Sequence, residues 1–144
     1  MKKFIIIFCL LYTIGCQPSI YAVDKNWVGA GDVKTWEDGK NWNPASAPTS
    51  ADDVTISLKD AYATATRTFE AKSVTVGGAA NSIFGTNDFI YGTISTDSPS
   101  DIALYIKKGG TVILTGQGTI TLKGSFKNSE ETVSGEESFM FQLY

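Results

Sequence analysis

Three tryptophans fall within sixteen residues, at Trp27, Trp36 and Trp42, in a chain that has no histidine at all. Indole faces stack on pyranose rings in carbohydrate-binding modules, so these three are the candidate ligand-binding residues. The competing use is packing, since a large aromatic ring buries roughly 150–250 Å² of surface. The missing histidine removes the commonest general base and the commonest transition-metal ligand. Zinc sites of the usual kind draw on Cys and His and are excluded with it. Carboxylates occur as the adjacent pairs Glu37-Asp38 and Asp52-Asp53. Neighbours on a strand point to opposite faces, so neither pair is a dyad. A glycosidase holds two carboxyls across its substrate, roughly 5–10 Å apart. The pairs read instead as solvated turn residues or caps, with Asp52 bonding nearby N–H groups at a strand entry. Asp32, Asp38 and Asp53 are candidate calcium ligands by type, but they sit in no EF-hand or Gly-Asp nonapeptide pattern. Serines and lysines occur without a G-x-S-x-G nucleophile motif. No catalysis, no cofactor and no metal are expected.

The N-terminus carries a different kind of information. Lys2 and Lys3 precede an uncharged apolar run, Phe4 to Ile14, and Gly15 and Pro18 end it. Ile20-Tyr21-Ala22 then supplies a small residue for a peptidase pocket, which completes a secretory signal over residues 1–22. A retained anchor is the alternative, but a spanning helix needs roughly 20 apolar residues. A second route runs through Cys16, where Tyr12-Thr13-Ile14-Gly15-Cys16 resembles a bacterial lipobox. Lipidation there would tether the chain through about 0.8 kcal/mol per buried methylene. Cleavage after Ala22 is favoured, and it removes both cysteines, Cys9 and Cys16. The mature chain then has no disulfide or thiol chemistry. It keeps 122 residues, enough for one domain. Without Lys2 and Lys3 it holds ten basic and fifteen acidic residues, a net charge of −5. That balance, with no basic cluster, argues against a nucleic-acid partner.

The elements that position these residues read as strands. Asp53 to Leu58, Lys72 to Val76 and Thr119 to Lys123 alternate polar and apolar with period 2. Phe89 to Ile94, Ala103 to Ile106 and Val112 to Leu114 are less regular runs. A short helix competes over Asp60 to Ala71, where alternating threonines favour strand or loop. The stretch Gly110 to Gly116 is echoed eight residues later by Gly118 to Gly124. It is either a hairpin turning at Gly116-Gln117-Gly118 or a corner between two faces of a coil. Val54 and Val74 lie 20 residues apart, a plausible coil length.

Trp27-Val28-Gly29-Ala30-Gly31, Thr35-Trp36, Asn41-Trp42-Asn43, Pro48 and Asp52-Asp53-Val54-Thr55-Ile56 follow in order. This series resembles the opening segment of bacterial secreted and cell-surface β-solenoid proteins of the autotransporter-passenger-like and adhesin-like kind. The Gly109 to Gly124 stretch is similar to their Gly-Thr-rich coils. The resemblance implies an all-β fold, a short right-handed parallel β-solenoid with an aromatic N-terminal cap; a β-sandwich is the alternative. A solenoid's first coil must be capped for solubility, and indoles do this efficiently.

The expected layout is a signal peptide at 1–22, a Trp-rich cap at 23–52, a solenoid core at 53–128, and an acidic tail with a possible closing strand at 129–144. The expected protein is exported: secreted, periplasmic, or on the cell surface, where it is structural or adhesive and not an enzyme. A larger passenger of which this chain is a piece fits the same pattern. Its partner would be a glycan or a host or cell-surface molecule, and a membrane only if Cys16 is lipidated. A carbohydrate-binding module is the alternative, and a polysaccharide-active enzyme the weakest one, because a few coils offer little concave surface.

Overall fold

The computed structural model describes residues 22–87, 90–115, 119–128, 131–133 and 136–139. Residues 1–21 lie outside the described residues, and with them Cys16 and the apolar run; so do Phe89, Gly116-Gln117-Gly118 and residues 140–144.

The fold is all-β. Its strands are β1 (Asp24–Trp27), β2 (Trp42–Asn43), β3 (Asp53–Ile56), β4 (Tyr62–Ala65), β5 (Phe69–Ala71), β6 (Ser73–Val76) and β7 (Ser82–Thr86). They continue as β8 (Tyr91–Ser95), β9 (Ile102–Ile106), β10 (Gly110–Leu114), β11 (Thr119–Lys123), β12 (Ser125–Asn128), β13 (Glu131–Val133) and β14 (Glu136–Phe139). A 3-10 turn at Gly39–Asn41 precedes β2. The short helix considered over Asp60 to Ala71 does not form. Ala63 and Ala65 alternate inward from β4 while Tyr62 and Thr64 point away, so a period of 2 wins over the helical propensity of alanine.

Three sheets result, ordered β13-β12-β9-β6-β3-β1-β2, β10-β7-β4 and β14-β11-β8-β5. From β3 to β12 the chain visits the first, second and third sheets in turn and then returns to the first. Its strands pair in parallel with those visited one round earlier. Among the described residues, antiparallel pairing is confined to β2 on β1, β13 on β12 and β14 on β11. The repeated Gly-Thr stretches are not a hairpin: β10 pairs with β7 and β11 with β8, so the two lie in different sheets.

Parallel register places like residues over like. Val54, Val74, Leu104 and Phe126 are successive partners in the first sheet. Ala63, Phe84 and Val112 follow one another in the second. Ala71, Ile94 and Leu122 do so in the third. Most of these side chains are buried and belong to one cluster with the tryptophans, with Val112 and Phe126 packed at its margin. Volumes are matched along the columns: Phe69 partners Gly92, where an added Cβ would stand 2.2 Å from the phenyl Cζ. Lys25 continues the first column beyond Val54. It is buried, and its ammonium donates to Pro44 O and Ser46 Oγ.

Candidate functional site

The three tryptophans come from three separate segments. β1 alternates outward and inward and ends on the inward Trp27. Thr35 bridges Thr64 of β4. There Thr64 N donates to Lys34 O at 3.1 Å and Trp36 N to Thr64 O at 2.8 Å, which fixes Trp36 over the second sheet. Trp42 lies on β2, opposite Trp27. Their relative exposures are 5%, 2% and 1%.

Each indole is covered by another ring. Trp42 makes edge contacts with Trp27 and with Trp36, both at 5.0 Å between centroids. Trp36 in turn meets Phe69 at 5.1 Å and Phe84 at 5.3 Å. Such pairs add about 0.5–1.5 kcal/mol each beyond the area they bury. The polar end of Trp42 is also used, its Nε1 donating to Trp36 O at 2.8 Å. A sugar platform needs indole faces open to solvent; here the three rings meet edge to face and are almost wholly buried.

Asn41 holds the segment between Val28 and Thr35 in place. Its side chain is fully buried, donates to Val33 O at 2.7 Å and Thr35 O at 3.0 Å, and accepts from Gly31 N at 2.8 Å. Its carbonyl accepts from Val28 N and Gly29 N. A Cβ at position 31 would sit 2.1 Å from Asp38 Oδ2 and 2.8 Å from Asn41 Oδ1, so any larger residue there would push both side chains aside. Asp38 caps the following turn by accepting from Lys40 N at 3.0 Å.

The acidic residues are engaged in the same way. Glu37 accepts from Thr66 N at 2.8 Å, Thr66 Oγ1 at 3.0 Å and Arg67 N at 2.7 Å, and so ties the tryptophan-bearing segment to the corner between β4 and β5. Asp52 is buried and accepts from Thr49 N, Thr49 Oγ1 and Val23 N. Asp53 accepts from Ser73 Oγ. Asp32 is exposed. Among the described residues no three Asp, Glu, His or Cys side chains converge on a metal-sized position. Lys72 has its pKa raised, chiefly by its hydrogen bond to Asp97 at 2.6 Å and by that carboxylate's charge. This pair lies at the surface, with Asp97 80% exposed.

An open groove of about 490 Å³ runs beside this cluster, between residues 47–50 and 68–70, and is lined by Trp36, Glu37, Phe69 and Glu70 among others. Glu37 is committed to the corner, which leaves Glu70 as the groove's exposed carboxylate.

Sequence reasoning placed the tryptophans together and gave Asp52 a capping role. It assigned nothing to Glu37 beyond a solvated turn or a cap, and it passed over Lys25. The signal for Lys25 was available: in Asp24-Lys25-Asn26-Trp27 it shares the parity of the inward tryptophan. Comparison with protein-family models, with curated proteins and with solved structures finds no match for this chain.

Proposed function

We propose that this chain is an exported, non-catalytic structural or adhesive protein, built as a short right-handed parallel β-solenoid with an aromatic N-terminal cap. Burial of the three tryptophans in one ring cluster, at the N-terminal end of parallel columns, carries this reading. Indoles spent on closing the end of a stack are not presented to a ligand. The cyclic order in which the chain visits its three sheets favours a solenoid over a sandwich, whose sheets are antiparallel. Right-handedness is the expected sense for parallel crossovers. Export follows from the signal pattern of residues 1–22.

The test is tryptophan emission of the exported protein during titration with polysaccharides. The expected result is a blue-shifted maximum that glycans leave unchanged. A second reading, a carbohydrate-binding module, is favoured by the groove where Trp36 and Phe69 reach the lining. Saturable binding of one glycan, lost in Trp36→Ala while the far-UV spectrum is retained, would replace the first reading by the second.

A further inference from the structure

Asp24 of β1 is in register with Asp53 of β3. Parallel pairing therefore brings the preceding residues, Val23 and Asp52, side by side. Val23 N donates to Asp52 Oδ1 at 3.1 Å. The other carboxylate oxygen accepts from Thr49 N at 2.8 Å and from Thr49 Oγ1 at 2.9 Å. The backbone of Asp52 is fixed as well: its N–H donates to Thr49 O and its carbonyl accepts from Lys72 N. The residue is 3% exposed. Among the described residues, the cations within ion-pair distance of a carboxylate are Lys59, at Asp60, and Lys72, at Asp97; none is at Asp52. A buried carboxylate held by neutral donors alone lacks the counter-charge that normally offsets its desolvation.

Val23 is also the residue that follows the signal pattern ending at Ala22. Hydrolysis of the Ala22–Val23 bond consumes one water. It leaves a carboxylate on the released segment and an ammonium at Val23. The nitrogen already bonded to Asp52 thereby gains a positive charge without having to move. Charge-assisted hydrogen bonds are roughly twice as strong as neutral ones.

We propose that Asp52 is a built receptor for the N-terminus that signal cleavage creates, so that processing itself locks β1 and the aromatic cap onto β3. The proposal rests on the reading that export cleaves after Ala22. The precursor presents only an amide N–H at this site, and its cap is held less tightly. The free amine of an unfolded chain titrates at about 7.7–8.0. Paired with Asp52 it keeps its proton to higher pH. The added stability is therefore full below that range and fades as pH rises through the folded value.

The experiment begins with the intact mass of the exported protein. A chain starting at Cys16, or anywhere but Val23, overturns the cleavage reading and this proposal with it. A chain starting at Val23 is then compared with the same chain Nα-acetylated. Acetylation is expected to lower the thermal midpoint by about 3–5 °C at pH 6. The difference should vanish at pH 10 and in Asp52→Asn. Equal midpoints for the free and acetylated chains overturn the proposal and leave the cleavage reading standing. Titration of the Val23 amine by NMR gives a readout that needs no variant. A folded-state value at or below that of the urea-unfolded chain also sinks the proposal.

Discussion

Trp42 touches Trp27 and Trp36 with its ring and holds the Trp36 carbonyl with its nitrogen. Trp42→Ala is expected to destabilise the fold by about 3–5 kcal/mol in urea unfolding, as large-to-small changes in tight cores do. Trp42→Phe keeps most of the packing and strands the carbonyl, so its loss should be nearer 1–3 kcal/mol. If Trp42→Phe is as stable as the wild type, the Nε1 bond contributes nothing measurable. At this scale the sequence was readable for type and not for contact. Trp-rich spacing points to rings that pack together, and Asn41 before Trp42 announces a turn. That Asn41 would gather Gly31, Val33 and Thr35 depends on the loop's path, which no period encodes.

The strands of the third sheet show how neighbouring rounds of the chain are fitted to one another. Phe69 on β5 fills the space left by Gly92 on β8. Gly92→Ala is expected to cost about 1–3 kcal/mol through overpacking. Adding Phe69→Leu should recover part of that loss, a coupling that a double-mutant cycle in urea would read. Strictly additive losses would mean that the cost of the added methyl does not come from the Phe69 ring. Alternation made β3, β6 and β11 legible, because each has one face on the core. The number of rounds was harder to see. Val54 to Val74 spans 20 residues, but Val74 pairs with Leu104 and Leu104 with Phe126, so the spacing changes at every step. The insertion falls between β8 and β9, where Ser98 and Ser100 bond to each other in a surface turn with no hydrophobic pattern to mark it.

Across the whole molecule, the columns join the tryptophan cluster to β11 and β12 in one core. Unfolding should therefore be a single transition. Tryptophan emission, which reports the cap, and far-UV dichroism, which reports all the strands, are expected to share one urea midpoint. An earlier fluorescence midpoint would show the cap opening by itself. Lys25 has a consequence at this scale too. A stack of parallel strands is a template for its own continuation, and copies of the chain that met end to end could extend it into a fibre. Here the terminal strand β2 is two residues long and is followed by Pro44, which has no N–H to offer an incoming strand. Behind it an ammonium occupies the place in the first column where an aliphatic side chain would have welcomed another layer. An added copy would have to strip away the 44–46 loop and leave that charge without its acceptors. Under the proposed capped-solenoid reading, the residues at this edge of the first sheet also disfavour the addition of another copy there.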